Sequence, residues 1–269
     1  MLREFKIPRE LFFRRLQSLT GIFLVLFLIE HLLTNSQAAL PLGDYGMGFV
    51  RAVDAIHNLP YLRAIEIFFL ATPFIVHAVW GLEYARQAKL NSGGSDGTRP
   101  SLRRYARNHA FSWQRITAWI LLIGLILHVG SMRFVKYPEK SGEGVNTEFT
   151  VQVSEDPGLK SLEEKIGFRL EPSPKEGKVL AVAKSFGVAS LLVVRDTFKS
   201  WLMVALYSIF VVAATYHAFN GLWTASITWG LAVTERSQRL VLRFSQGLMA
   251  VVTFLGLAAV WLTYFNLKQ

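Results

Sequence analysis

Five apolar runs, each about twenty residues long, constrain this 269-residue chain more than any other feature. A run of that length spans the hydrocarbon core of a bilayer as an α-helix. The runs predict spanning helices at roughly 14–38, 61–86, 113–134, 198–227 and 240–265. The expected fold is all-α, an integral membrane five-helix bundle. Residues 1–269 form a single membrane domain, interrupted by a polar insert at 136–197. The overall 52% hydrophobic content would not decide this alone, because a soluble domain can approach it; the clustering does. The first run carries His31 and lacks a small-residue cleavage site, so it does not read as a secretory signal.

The formal net charge is +10. A basic chain can bind nucleic acid, but here the basic residues gather at the ends of the apolar runs, where membrane topology explains them. Residues 1–15, at the start of the first run, hold Arg3, Lys6, Arg9, Arg14 and Arg15. Residues 86–115, from the end of the second run to the start of the third, hold Arg86, Lys89, Arg99, Arg103, Arg104, Arg107 and Arg115. Residues 236–243, at the start of the fifth, hold Arg236, Arg239 and Arg243, whereas 39–60 carries only Arg51. The bias puts the N-terminus in the cytoplasm and the C-terminus outside. The chain has no cysteine, which removes disulfides, zinc–thiolate sites and cysteine-ligated iron–sulfur clusters from the chain itself.

Each of the first four runs contains one histidine, and an ionisable side chain in hydrocarbon is a functional-site hypothesis by default. His31 and His128 close a shared pattern, Gln17, Thr20, His31 and Gln114, Thr117, His128. His77 and His217 open another, His-Ala-x-x-Gly-Leu, ending at Gly81-Leu82 and Gly221-Leu222. Counting 1.5 Å of rise per residue from the flanking arginines puts His31 about 24 Å and His128 about 20 Å beyond the cytoplasmic edge. The same count puts His77 about 14 Å from that edge, with His217 at a similar level. Two histidines at each of two depths match two stacked haem b groups in a four-helix dihaem core. The expected iron ligands are His31 with His128 for an outer haem and His77 with His217 for an inner one. Both haems would be low-spin, since both axial positions are filled.

Gly81 and Gly221 lie one turn from their histidines, where a missing side chain would let a porphyrin edge approach. Gln17 and Gln114 are candidates to bond the inner haem's propionates, with Ser18, Thr20, Trp113, Arg115 and Thr117 as further candidates. An interhelical hydrogen bond is the plain alternative for any single histidine. Zinc would want its ligands at one level, with carboxylate or thiolate company. His57 and His109 lie outside the runs and are not expected to be ligands.

Glu30, Asp54 and Glu66 cluster toward the outer side and are candidate proton donors or acceptors for a quinone. Pairing of Glu66 with Arg63 or of Asp54 with Arg51, or a snorkelling acid, is the alternative. Tyr45, His57 and Tyr61 could bond a quinone carbonyl. In the insert, 148–153 and 178–183 partly alternate apolar and polar residues, which predicts a short β-hairpin, with Pro172 and Pro174 breaking the stretch between them. The insert is either a surface loop or a lid over an outer binding site. Residues 91–101 read as a cytoplasmic loop, and no Walker A, G-x-G-x-x-G or H-E-x-x-H motif occurs.

The stretch from Leu16 to His31, with Gln17 and Thr20, resembles the first helix of the dihaem cytochrome b anchors of succinate:quinone and quinol:fumarate oxidoreductases. Val76-His77-Ala78, Trp113-Gln114-Arg115-Ile116-Thr117 with His128, and His217 with Gly221-Leu222 are similar to that family's other haem helices. The resemblance covers all five helices and implies a subunit of respiratory complex II, in the bacterial inner (cytoplasmic) membrane, tied to the tricarboxylic acid cycle. It implies two partner subunits: a flavoprotein with covalent FAD that carries the dicarboxylate chemistry, and an iron–sulfur subunit on the cytoplasmic side. This chain would be their quinone-reactive electron-transfer anchor, with menaquinone or ubiquinone as substrate, and a higher oligomer of the complex is left open. The basic cytoplasmic loops suit docking of soluble partners.

Two features depart from the family pattern. One is the long outer insert. The other is Thr215, where fumarate reductases of this family carry a glutamate two residues before the fourth haem histidine; its absence favours succinate oxidation. The alternatives are a dihaem cytochrome b of a hydrogenase or formate dehydrogenase, and a haem-free transporter or scaffold. The last would show paired helix interruptions, whereas Pro73 alone interrupts a span.

Overall fold

In the computed structural model the chain is an all-α membrane protein with one small sheet. The structure describes residues 8–39, 45–88, 99, 104 and 106–266. Arg3, Lys6, Lys89, Arg103 and nearly all of 91–101 therefore lie outside the described residues. Among the described residues, five helices are long and apolar enough to cross a membrane: Arg9–Ser36, Leu62–Arg86, Arg107–Val135, Trp201–Thr228 and Glu235–Asn266. They run past the apolar stretches that announced them. α1 (Arg9–Ser36) already begins at Arg9, and the last span begins at Glu235. Arg, Glu and Gln are good helix formers, so loss of apolarity marks the end of the lipid-facing part and not the end of the helix.

The first loop holds α2 (Met47–His57). The second span consists of α3 (Leu62–Glu66), a π-turn at Ile67–Ala71 and α4 (Thr72–Arg86). Pro73 explains the π-turn. It has no N–H for the carbonyl of Phe69, and the Thr72 N–H reaches back to the carbonyl of Ile67 instead. The third span is α5 (Ala106–Val129), whose final turn is also π, Gly130–Val135, closed by the Lys136 N–H on the Ser131 carbonyl at 2.8 Å. α8 (Trp201–Thr228) and α9 (Glu235–Asn266) complete the set.

The insert contains more structure than the expected hairpin: β1 (Glu139–Ser141), β2 (Glu148–Ser154), α6 (Pro157–Ile166), β3 (Phe168–Pro172), β4 (Lys178–Ala183) and α7 (Phe186–Thr197). The two alternating segments do pair, Val151 opposite Ala181, as β2 and β4. They are not a hairpin, because α6 and β3 lie between them in the chain and the sheet order is β1-β2-β4-β3, antiparallel throughout. Phe149, Val151 and Val153 are buried on one face of β2, while Gln152 on the other is exposed. The Lys178–Ala183 run reads as a strand, and α6 carries a clear apolar stripe, Leu159, Leu162 and Ile166, within only ten residues.

The described residues group into two compact units. One takes residues up to Ile29, Arg63–Leu122 and Val212–Val251; the other takes Glu30–Leu62, Ile123–Val211 and the chain from Val252. Among its described residues the first unit has helices and turns but no strand. Phe13 lies against Trp80 with ring centres 3.8 Å apart, Trp229 donates to Ser18 Oγ at 3.2 Å, and Arg107 donates to Gln238 at 2.9 Å.

The second unit has its own core, in which Phe49 and Val50 of α2 pack with Phe149, Val153, Leu159, Phe168 and the α7 residues Val188 and Leu192. Burying each such side chain is worth about 1.5–3 kcal/mol, so the insert folds as a body with α2 and is not a bare loop. α2 and α7 approach closely because Gly187 has no side chain: a Cβ there would stand 2.5 Å from the Val50 carbonyl oxygen. Asp54 of α2 accepts from Ser185 Oγ at 2.6 Å and from the Gly187 N–H at 2.7 Å, capping α7.

At the opposite end of α7, Arg195 grips Asp156 through two bonds of 2.6 and 2.8 Å, Lys199 reaches the same carboxylate at 2.6 Å, and Asp196 accepts from the Ser154 N–H at 2.8 Å. Burial pulls both acids upward, but for Asp156 the bonds from Arg195 and Lys199 outweigh it. The bond from Ser154 and the nearby lysines do the same for Asp196, and both carboxyls end below their usual range.

Two outcomes follow. Asp54→Ala should cost the insert about 1–2 kcal/mol, read as faster amide exchange across 186–197. A depressed carboxylate contributes its full stability above the unfolded pKa, about 3.9, and loses it as pH falls further. Exchange in the insert, corrected for its intrinsic rate, should therefore stay protected down to about pH 4 and fail below it.

Candidate functional site

The four spanning histidines fall two to each unit. In the first unit, His77 of α4 faces His217 of α8, with ring centres 6.2 Å apart and ring planes at 83°. In the second, His31 of α1 faces His128 of α5 at 5.9 Å and 80°. An imidazole–metal bond is about 2 Å and the ring centre lies about 1 Å behind its nitrogen, so one shared metal atom sets ring centres about 6 Å apart. Both spacings admit one atom between the rings. No group of three or more His, Cys, Asp or Glu that could hold a metal occurs among the described residues. Each site thus offers two nitrogen donors from two opposed helices, which suits a metal that brings its remaining ligands with it.

The paired motifs now acquire a physical meaning. Thr20 Oγ1 bonds back to the carbonyls of Leu16 and Gln17 at 3.0 and 2.9 Å, and Thr117 Oγ1 to those of Trp113 and Gln114 at 2.7 and 3.2 Å. The same glutamine carbonyls take the other pair of histidines: Gln17 O lies 2.9 Å from His77 Nδ1, and Gln114 O lies 3.3 Å from His217 Nδ1. A carbonyl only accepts, so Nδ1 of His77 and of His217 carries the proton. Nε2 is left with its lone pair, the form a metal needs. Thr117 Oγ1 adds a second contact to His217 Nδ1 at 3.4 Å. The Gln-x-x-Thr segments that precede His31 and His128 therefore serve the first unit's histidines through their backbone.

The glutamine side chains lie at the two glycines. Gln114 Nε2 donates to the His217 carbonyl at 3.1 Å, while its Oε1 accepts from Asn220 Nδ2 at 2.7 Å. A Cβ on Gly81 would stand 3.6 Å from Gln17 Nε2, and one on Gly221 3.6 Å from Gln114 Nε2. Gly21, which the sequence did not single out, is more tightly determined: its Cβ would stand 3.0 Å from His77 Cε1. The absent side chain is what seats the ring. A glycine directly after the motif threonine was the available signal, masked because the matching position in the third span is Ala118. Of the remaining expected residues, Ser18 accepts from Trp229, Arg115 stacks over Phe111 at 6.0 Å, and Trp113 is half exposed.

In the second unit, Tyr207 of α8 sets its hydroxyl 3.1 Å from His128 Nδ1. No motif marked this tyrosine. The three candidate acids have different surroundings. Glu30 is exposed and accepts from Thr34 at 2.9 Å; Glu66 is half-buried directly before the π-turn; Asp54 is engaged in capping α7. His57 stacks on Phe186 with ring centres 3.9 Å apart and lines a small cavity with Asp54, Phe149 and Lys184. Tyr45 and Tyr61 both sit in the left-handed region, at φ 52° and 59°, and Tyr61 is 86% exposed.

These features define an integral membrane helical protein with two intramembrane histidine pairs. No family model matches the chain. The succinate dehydrogenase cytochrome b558 subunit of Bacillus subtilis (strain 168) is 30% identical to it over 254 residues, covering 94% of this chain and 96% of that protein. The chain belongs to the family of cytochrome b membrane-anchor subunits of succinate dehydrogenase, respiratory complex II.

The tautomer is measurable. ¹⁵N NMR of histidine-labelled protein should find Nδ1 protonated at His77 and His217; protonation at Nε2 would contradict the site as described.

Proposed function

We propose that this chain holds two haem b groups and carries electrons between the iron–sulfur subunit of a succinate dehydrogenase and a membrane quinone. The carrying observation is the recurrence of one arrangement: two imidazoles facing each other with ring centres 6.2 or 5.9 Å apart, in helices long and apolar enough to cross a membrane. The family supports haem, since the Bacillus relative is by name a cytochrome b558, and it selects succinate dehydrogenase over the hydrogenase or formate dehydrogenase alternative. A haem held by two histidines supplies a low-spin, one-electron carrier with no open position for other ligands.

The chain's own residues do the rest. His77 and His217 offer Nε2 because the Gln17 and Gln114 carbonyls hold their Nδ1 protons. Interhelical hydrogen bonds in a membrane average only about 0.6 kcal/mol, so these bonds orient the rings more than they stabilise the helices. Gly21 leaves room for the His77 ring. In the second unit His31 and His128 form the other ligand pair. On the positive-inside reading of the sequence, helix rise assigns His77 and His217 to the cytoplasmic half of their spans and His31 and His128 to the outer half of theirs. A flavoprotein and an iron–sulfur subunit dock on the basic cytoplasmic side, and Glu30 and Glu66 remain the acids best placed in sequence to exchange protons with an outer quinone.

Single histidine variants test the pairing. His77→Ala and His217→Ala should each remove the same one of two b-type bands from the reduced-minus-oxidised spectrum, and His31→Ala and His128→Ala the other. Gly21→Val should act as His77→Ala does, through displacement of the ring. A wild-type complex without haem, or variants that pair differently, would defeat the proposal.

A further inference from the structure

The two histidine pairs differ in what holds them. In the first unit both Nδ1 protons go to main-chain carbonyls, which no substitution can remove. In the second, His128 Nδ1 faces a side chain, the Tyr207 hydroxyl at 3.1 Å. The ring of that tyrosine is closely held. Phe198 meets it edge-on at 5.2 Å and 88°, and Phe210 at 6.2 Å and 89°. Phe210 also lies 5.9 Å from the His128 ring and fills the space that Gly124 leaves open, where a Cβ would stand 2.5 Å from Phe210 Cδ2. Tyr207 packs in turn against the buried cluster of Phe198, Val204 and Val260. A phenol positioned this rigidly cannot drift away from the imidazole it faces.

We propose that Tyr207 is a positioning residue that sets the orientation and electron-donor strength of His128, and through it the reduction potential of the haem in the second unit alone. This rests on the reading of His31 and His128 as haem ligands. When His128 binds iron through Nε2, its Nδ1–H donates to Tyr207 Oη. An axial histidine whose N–H is hydrogen-bonded is a more basic ligand and favours the oxidised metal. A phenol oxygen is a weaker acceptor than a main-chain amide carbonyl, so the two haems would have unequal ligand fields.

The test is redox titration of the purified three-subunit complex, wild type against Tyr207→Phe, which keeps the ring and loses the oxygen. The two potentials are assigned beforehand through the histidine variants. At a fixed electrode potential near its midpoint, the second unit's haem should become about three- to tenfold more reduced in Tyr207→Phe, a tenfold change being about 59 mV for one electron. Its low-spin EPR signal should move with it, and the other haem should do neither. Site-specific replacement of Tyr207 by a fluorinated, more acidic tyrosine should shift the same potential upward by less, and gives an answer even if the phenylalanine variant assembles poorly. Unchanged potentials in both replacements, or equal shifts of both haems, would overturn the role of Tyr207. A wild-type complex lacking two haems would instead overturn the functional reading beneath it.

Discussion

A buried imidazole has two nitrogens, and in hydrocarbon neither can be left to water. That constraint organises this protein. In the first unit the solution is a backbone carbonyl at Nδ1, which fixes the tautomer and leaves Nε2 with its lone pair. The carbonyl must come from a neighbouring helix at the right height, so the register of α1 against α4, and of α5 against α8, is tied to the ligand geometry. The threonine one turn on and the glycine that seats the His77 ring follow from the same requirement. In the second unit a tyrosine hydroxyl takes the carbonyl's place, which makes that ligand adjustable by ordinary substitution.

The duplicated motif reads differently once the contacts are known. Gln17 and Thr20 stand on the same helix as His31, and Gln114 and Thr117 on the same helix as His128, which suggests that they share a site with those histidines. They lie fourteen and eleven residues away, about 21 and 17 Å along a helix, too far to touch them. Their partners are His77 and His217. A motif contiguous in sequence thus carries a histidine of one facing pair and the backbone support of the other.

Much of this was legible because the physics is local. Apolar runs of bilayer length and four histidines at repeated offsets are one-dimensional signals, and they predicted the spans and the facing pairs. What stayed hidden depends on contacts between distant segments. Tyr207 is one aromatic residue among many in an apolar helix, and only its place opposite His128 distinguishes it. Gly21 is legible only once His77 is known to lie against it. Asp54 reads as an acid near a membrane surface, and its hold on the N-cap Ser185 and the Gly187 N–H of α7 needs partners more than a hundred residues away. The insert looked like a loop with a hairpin because α6 and α7 are short, and α7 is buried on most of its faces, so it lacks the one-sided periodicity of a surface helix.

The central claim is two bis-histidine haem sites in one chain, formed by His77 with His217 and His31 with His128. Haem quantitation per chain combined with EPR on the purified complex addresses it directly. Two b-type haems per chain are expected, both low-spin, with no high-spin population. A single haem per chain, or a high-spin signal from an open axial position in the intact complex, would contradict it.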